Sequence, residues 1–258
     1  MIEAARALIA DRLGLDFPAR RGDDLQRALT VVAGAGREAG LVAALQDPHD
    51  RRWPTLIHAL TVRESYFFRD APLFERILHE LVERRRAEGD LRLTVWSAGC
   101  ATGEEPYSLA MLLDRLLGDV AAWQVAILAT DVDVAALETA ARGAYTEWAL
   151  RATPAWARAR YFDERLTLAR RIRERVTFVP LNLAADPYLG AFDLIVCRNV
   201  LMYFTERARR ATVERLAAAV SPGGRLALSP LDVTIEPAGF ETIDDGRVLR
   251  RRAEELVA

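Results

Sequence analysis

The 258-residue sequence predicts an α/β fold: a mostly parallel sheet covered on both faces by helices, preceded by a small all-α segment. Three observations carry this reading. From Leu91 onward, short apolar runs rich in strand formers alternate with stretches of helical periodicity. The first of these runs, Leu91 to Trp96, leads through a turn bracketed by Gly99 and Gly103 into a helical pattern with Pro106 in its first turn, where proline is tolerated. By contrast, residues 1 to about 60 hold helical patterns and little β-branched clustering.

In chain order, the N-terminal helical patterns are interrupted by Gly14, Pro18, Gly34, Gly36, Gly40, Pro48 and Pro54, which predicts a small bundle of short helices. A longer helix follows over Phe74 to Arg86, with Leu73, Ile77, Leu78, Leu81 and Val82 on one face. It runs into a charged stretch, Arg84 to Asp90, expected to be a solvated helix end and a domain edge. The expected units are therefore residues 1–88, an N-terminal helical domain with its linker helix, and residues 89–258, an α/β domain. Strands are expected at Leu93–Ser97, Val125–Thr130, Val176–Leu181, Phe192–Cys197 and Arg225–Ser229, with helices near 105–117, 133–142 and 206–220. Ligands of such sheets bind at the carboxyl ends of the strands, near the point where strand order reverses.

Composition narrows the function. The chain is 51% hydrophobic, enough to bury a real core, and its formal charge of −2 gives no global basic field for nucleic acid. All 35 basic residues are arginine, which excludes Schiff-base chemistry, a lysine base and a phosphate-loop lysine. Cys100 and Cys197 fall in expected buried positions and no histidine clusters with them, so neither a disulfide framework nor a metal site is expected. No apolar run approaches the ~20 residues of a membrane span, and a reduced, cytoplasmic setting fits best.

The chemistry-bearing residues fall at strand ends. In VWSAGCATGEEPYS, residues 95–108, the spacing from Gly99 to Gly103 is G-x-x-x-G, neither the dinucleotide fingerprint nor a phosphate loop. The loop carries Glu104 and Glu105 instead, and a carboxylate there suits a ligand with hydroxyls or positive charge better than a pyrophosphate. S-adenosylmethionine is such a ligand. In ATDVD, residues 129–133, Asp131 is placed to accept from ribose hydroxyls, while Asp133 can cap the following helix. Asn182 after the third strand offers an amide to an adenine edge. In DLIVCRNVLMYF, residues 193–204, Arg198, Asn199 and Tyr203 are polar groups in an apolar setting and need partners.

These segments, with TVRESYFFRD at 61–70, closely resemble the chemotaxis receptor methyltransferases of the CheR family over about residues 55–230. The resemblance implies a small helical domain followed by a Rossmann-like class I S-adenosylmethionine-dependent methyltransferase domain. It also implies methylation of glutamate side chains on the cytoplasmic helices of methyl-accepting chemoreceptors, with S-adenosylhomocysteine as product. By the same resemblance Glu105, Asp131, Asn182, Leu183, Arg198 and Asn199, with Gly99 in the loop, match cofactor contacts. Ser65 and Arg69 match contacts from the interdomain segment, and Arg69 and Tyr203 match the residues beside the sulfonium. Arg63 stands where receptor-methylating members often have a cofactor-contacting asparagine, so that contact is not carried over. The stretch between Phe162 and Val176 is shorter than in members with an inserted β-subdomain. Ser229-Pro230-Leu231-Asp232 replaces the expected Gly-His-Ser-Glu, and the ending resembles the branch linked to helical TPR repeats, which makes a repeat-domain or signalling partner an expectation. Two other functions fit the same residues: a non-catalytic module binding S-adenosylmethionine or S-adenosylhomocysteine, and a small-molecule methyltransferase. A nicotinamide oxidoreductase has the wrong glycine spacing. Neither nucleic acid nor a membrane is an expected partner.

Overall fold

The structure is a computed structural model describing residues 1–118, 122–188, 190–230, 235, 237–244 and 248–252. Four short helices open the chain: α1 (Ile2–Leu13), α2 (Gly22–Ala33), α3 (Glu38–Ala44) and α4 (Trp53–Leu60). They close on their own core of Ile9, Leu13, Phe17, Leu25, Leu29, Leu41, Trp53 and Leu56. Two expected breakers lie inside helices. Pro54 sits in the first turn of α4, where a missing N–H costs nothing, and Gly40 is within α3.

Helix α5 (Ala71–Ala87) buries Leu73, Phe74, Ile77, Leu78, Leu81 and Val82, the face its periodicity predicts. That face packs into the core beneath the sheet with Leu93, Val95, Leu109 and Leu113, not with the N-terminal bundle. Its charged end is not merely solvated, as the sequence suggested. Arg84 and Arg85 both pair with Asp193, whose side chain is only 1% exposed and which also accepts from the Thr94 N–H at 2.9 Å. A carboxylate so buried requires such partners, and they tie the helix end to the sheet.

The sheet has seven strands: β1 (Arg92–Ala98), β2 (Gln124–Asp131), β3 (Val176–Pro180), β4 (Phe192–Cys197), β5 (Val220–Leu228), β6 (Phe240–Ile243) and β7 (Val248–Arg251). Their order is β3-β2-β1-β4-β5-β7-β6. The first five pair in parallel, whereas β7 runs antiparallel to both β5 and β6. Helices α6 (Glu104–Leu117), α7 (Val134–Arg142) and α10 (Glu206–Ala218) are the expected crossovers. Two short helices, α8 (Ala155–Tyr161) and α9 (Arg170–Arg173), and the strands β6 and β7 were not anticipated. Between Phe162 and Val176 the chain makes only isolated bridges, Phe162 to Leu168 and Ala144 to Thr167, and the α9 turn. From β1 the chain winds outward to β2 and β3, then returns to place β4 on the other side of β1. That reversal opens a crevice above the ends of β1 and β4.

Candidate functional site

Above this crevice lies a cavity of about 1200 Å³, counted with its open mouth. The strand ends supply its floor. After β1, the N–H groups of Gly99 and Cys100 both donate to the Thr130 carbonyl, at 2.8 and 2.9 Å, which folds the loop back over β2. Gly99 has φ +80, and a Cβ there would meet Val200 Cγ2 at 2.4 Å, so only glycine lets this loop lie against the end of β4. The Ala101 N–H donates to Asp131 Oδ2 at 2.8 Å, and the Asp133 N–H to Asp131 Oδ1 at 2.9 Å.

Asp133, not Asp131, caps α7, accepting from Ala135 and Ala136. This division of labour was legible in the sequence. Asp133 also accepts from His58 Nδ1 at 2.9 Å and Thr61 Oγ1 at 3.2 Å, which clasps α4 to the head of α7. Arg63 joins this clasp, 3.5 Å from Asp133.

The ten residues singled out from the sequence all line this one cavity. Ser65, Arg69 and Gly99 stand on one side with Glu105 and Asp131; Asn182, Leu183, Arg198, Asn199 and Tyr203 complete it. Several are engaged differently from the expectation. The Asn182 side chain is already partly engaged: its Nδ2 donates to the Arg12 carbonyl at 2.7 Å and its Oδ1 accepts from Ala184 at 2.9 Å, which leaves one N–H of the amide for a ligand. It thus bolts the end of β3 to α1. Arg198 pairs with Asp70 at 2.8 Å and donates to the Leu228 carbonyl at 2.9 Å, so its guanidinium joins the 61–70 segment to the end of β5. The Asn199 N–H donates to Ser229 Oγ at 2.7 Å. Tyr203 is anchored by its carbonyl, which accepts from the Asp16 N–H at 2.7 Å. Among the described residues, no hydrogen bond or ion pair engages the Arg69 guanidinium, which lies 5.5 Å from the Tyr66 ring centroid.

Of the left-handed residues that are not glycine, Ala101 and Asn199 line this cavity, while Phe68 and Asp70 bond to its lining residues Ser108 and Arg198. Backbone of this kind costs energy and concentrates where structure serves a ligand. Sequence reading missed the contribution of the 13–21 loop, where Leu15, Phe17 and Arg21 reach the cavity. The Arg21 guanidinium lies 4.6 Å from the Phe17 ring and 5.6 Å from the Tyr203 ring. No motif marks this loop; its signal was limited to Gly14 and Pro18 as helix breakers.

The cavity is electrostatically unusual. Burial pushes Glu105 up to about 7, against the Ser97 hydroxyl donating at 2.6 Å and the Arg198 and Arg69 guanidiniums. Burial likewise raises Glu104 despite the Thr102 hydroxyl, and raises Asp131 despite the Asp133 and Ala101 N–H groups. An acid raised on folding binds protons more tightly in the native state than in the unfolded chain. Its stability cost is therefore absent below about pH 4.5, grows between 4.5 and 7, and is complete above 7. Glu105→Gln is thus expected to gain melting temperature relative to the parent as pH rises from 5 to 8, read by thermal scans of both proteins. A constant difference across that range would contradict this.

Asp131→Asn is expected to weaken binding of S-adenosylhomocysteine about 10- to 100-fold, because an amide NH₂ would face one of the two backbone donors now satisfied. Calorimetric titration measures it, and an unchanged affinity would remove Asp131 from the site.

A doubly wound sheet of order 3-2-1-4-5-7-6, with acids instead of a phosphate cradle at its switch point, defines a class I S-adenosylmethionine-dependent methyltransferase. The half-buried Glu105 and Asp131 fit that cofactor: both carry a desolvation cost that a cationic, hydroxyl-bearing ligand relieves. Residues 63–233 match the family described as CheR methyltransferase, SAM binding domain. The chain belongs to the CheR methyltransferase family. It is 38% identical over 203 residues to Chemotaxis protein methyltransferase 1 of Pseudomonas aeruginosa, covering 73% of this chain and 72% of that protein. It is 36% identical over 183 residues to a probable chemotaxis protein methyltransferase of Rhizobium etli, covering 66% and 68%. With the chemotaxis protein methyltransferase of Escherichia coli it shares 37% identity over 188 residues, 69% of this chain and 63% of that one.

Proposed function

We propose that this methyltransferase esterifies glutamate side-chain carboxylates on the cytoplasmic helices of methyl-accepting chemoreceptors, and that it acts in the cytoplasm. The observation that carries this reading is the meeting of Arg69 and Tyr203 with the acids Glu105 and Asp131 in one open cavity. Ser65, Gly99, Glu105, Asp131, Asn182, Leu183, Arg198 and Asn199 would hold the cofactor, with Arg69 and Tyr203 beside the transfer point. When bound, S-adenosylmethionine supplies an electrophilic methyl group on a positively charged sulfur.

The rest falls to the chain. A glutamate acceptor, with a usual pKa near ~4.3, is already ionised at neutral pH and needs no general base. Arg69, without a carboxylate partner among the described residues, is free to hold the acceptor carboxylate or the cofactor's own. Tyr203, fixed through its backbone to the 13–21 loop, offers a ring face to a cation, an attraction of about 0.5 to 2 kcal/mol. In line with a small demand for proton transfer, the protein's work is orientation and exclusion of water.

The division at residues 1–88 and 89–258 belongs to this proposal, with the bundle and its 13–21 loop roofing the cofactor unit. So does a repeat-domain or signalling partner, which rests on residues 237–252; residues 245–247 of that stretch, and Leu231 and Asp232 before it, lie outside the described residues. No helix among the described residues is long and apolar enough to cross a membrane. The test is incubation of the protein with methyl-labelled S-adenosylmethionine and receptor cytoplasmic domains of the same organism. Label on the receptor is expected; cofactor bound without any transfer to receptor would contradict the proposal.

A further inference from the structure

At the mouth of the cavity, arginines and aromatic rings alternate outward from Arg69 to solvent. The Arg69 guanidinium lies 5.5 Å from the Tyr66 ring centroid, Arg151 stacks on the same ring at 4.0 Å, and Arg151 also lies 4.2 Å from the ring of Trp148. Tyr66 and Arg69 line the cavity itself, so the series links the transfer point to the surface. Its outer end is built rather than loose. Ala149 and Leu150 are buried, the Leu150 N–H donates to the Thr146 carbonyl at 3.2 Å, and the Phe67 N–H donates to the Ala149 carbonyl at 2.9 Å. The turn carrying Trp148 and Arg151 is therefore stitched to the segment carrying Tyr66 and Arg69.

Trp148 is nonetheless 66% exposed, whereas Trp53, Trp96 and Trp123 are buried at 8% or less. Leaving a large ring in water forgoes burial energy. Beside it, Arg151 donates to the Trp148 carbonyl at 2.7 Å, and its ion partner among the described residues is Glu64, 3.7 Å away on a side chain 67% exposed. So loose a pair is readily exchanged for another carboxylate.

The geometry points to the Trp148–Arg151 turn as the lip that seats the acceptor segment: an acidic helix whose reactive glutamate enters at Arg69 while residues one or two turns away rest on this lip. An apolar side chain of that helix covers the Trp148 ring, and a second carboxylate replaces Glu64 on Arg151. Tryptophan, tyrosine and arginine are also the residue types that dominate protein recognition. This rests on the receptor-methylating function proposed above and adds where the substrate docks.

Trp148→Ala tests it, since the exposed ring can be removed without opening the core. Initial rates are measured against receptor cytoplasmic domain and against S-adenosylmethionine, with Trp148→Phe alongside. The expected result is a KM for receptor raised about five- to tenfold, an unchanged cofactor KM, and recovery of most of the loss by phenylalanine. An unchanged receptor KM overturns the lip. So does an equal loss in cofactor affinity, which would make Trp148 a structural support. A parent protein that methylates no receptor domain would instead overturn the underlying function, and the lip with it.

Discussion

Arg69→Ala is expected to lower methyl transfer about 100-fold at saturating substrates, the usual scale for removing one aimed donor from a reacting centre. The guanidinium reaches the cavity, has no ion partner among the described residues, and touches Tyr66 only through its ring. Its removal breaks no hydrogen bond or ion pair among the described residues and takes from Glu105 only one of the two guanidinium charges near it, so the fold should survive. Arg198→Ala would be a poor comparison, because it would abandon Asp70 and the Leu228 carbonyl together. The readout that matters is the split between binding and rate. If Arg69 holds the acceptor carboxylate, S-adenosylhomocysteine affinity stays and turnover collapses; if it holds the cofactor's carboxylate end, both fall. Unchanged transfer would remove Arg69 from the chemistry.

Gly99→Ala is expected to cost about 2 to 4 kcal/mol of stability, summing left-handed strain and overpacking, and to abolish cofactor binding. The added methyl would sit 2.4 Å from Val200 Cγ2, at a point where the loop is held from behind by two N–H bonds to Thr130. Neither side can yield without disturbing the end of β4 or the cradle around Asp131. At roughly 2 to 4 °C per kcal/mol, the melting temperature reports the loss directly. Gly36→Ala is the control: it shares a positive φ, +77, but a Cβ there meets nothing within 4 Å. Equal destabilisation of the two variants would mean that strain alone, not contact with Val200, governs Gly99.

The parts of this site that local chemistry dictates were legible in the sequence. A strand, two glycines and a helix opening with Pro106 define the first loop, and the pair Asp131 and Asp133 could be sorted because only one can cap α7. What local patterns could not reveal is where side chains go once distant segments meet. Asn182 turns to Arg12, 170 residues earlier in sequence, and Arg198 to Asp70, 128 residues earlier. Asp193 recruits Arg84 and Arg85 only because α5 crosses the start of β4. Strands β6 and β7, four residues each, are too short for a clear period and take their place from pairing, β7 with β5 and β6 with β7. The 13–21 loop reaches the cavity by bridging Leu15 to Phe204, a contact with no sequence signature.

Carboxyl methylation of receptor glutamates is tested by alkaline treatment of receptor domain labelled by this protein. Glutamyl methyl esters release their label as volatile methanol, whereas methyl groups on nitrogen stay with the polypeptide. The label is expected to volatilise and to map to glutamates on the receptor's cytoplasmic helices. Label that withstands base, or that forms on small molecules while receptors stay unmodified, would contradict it.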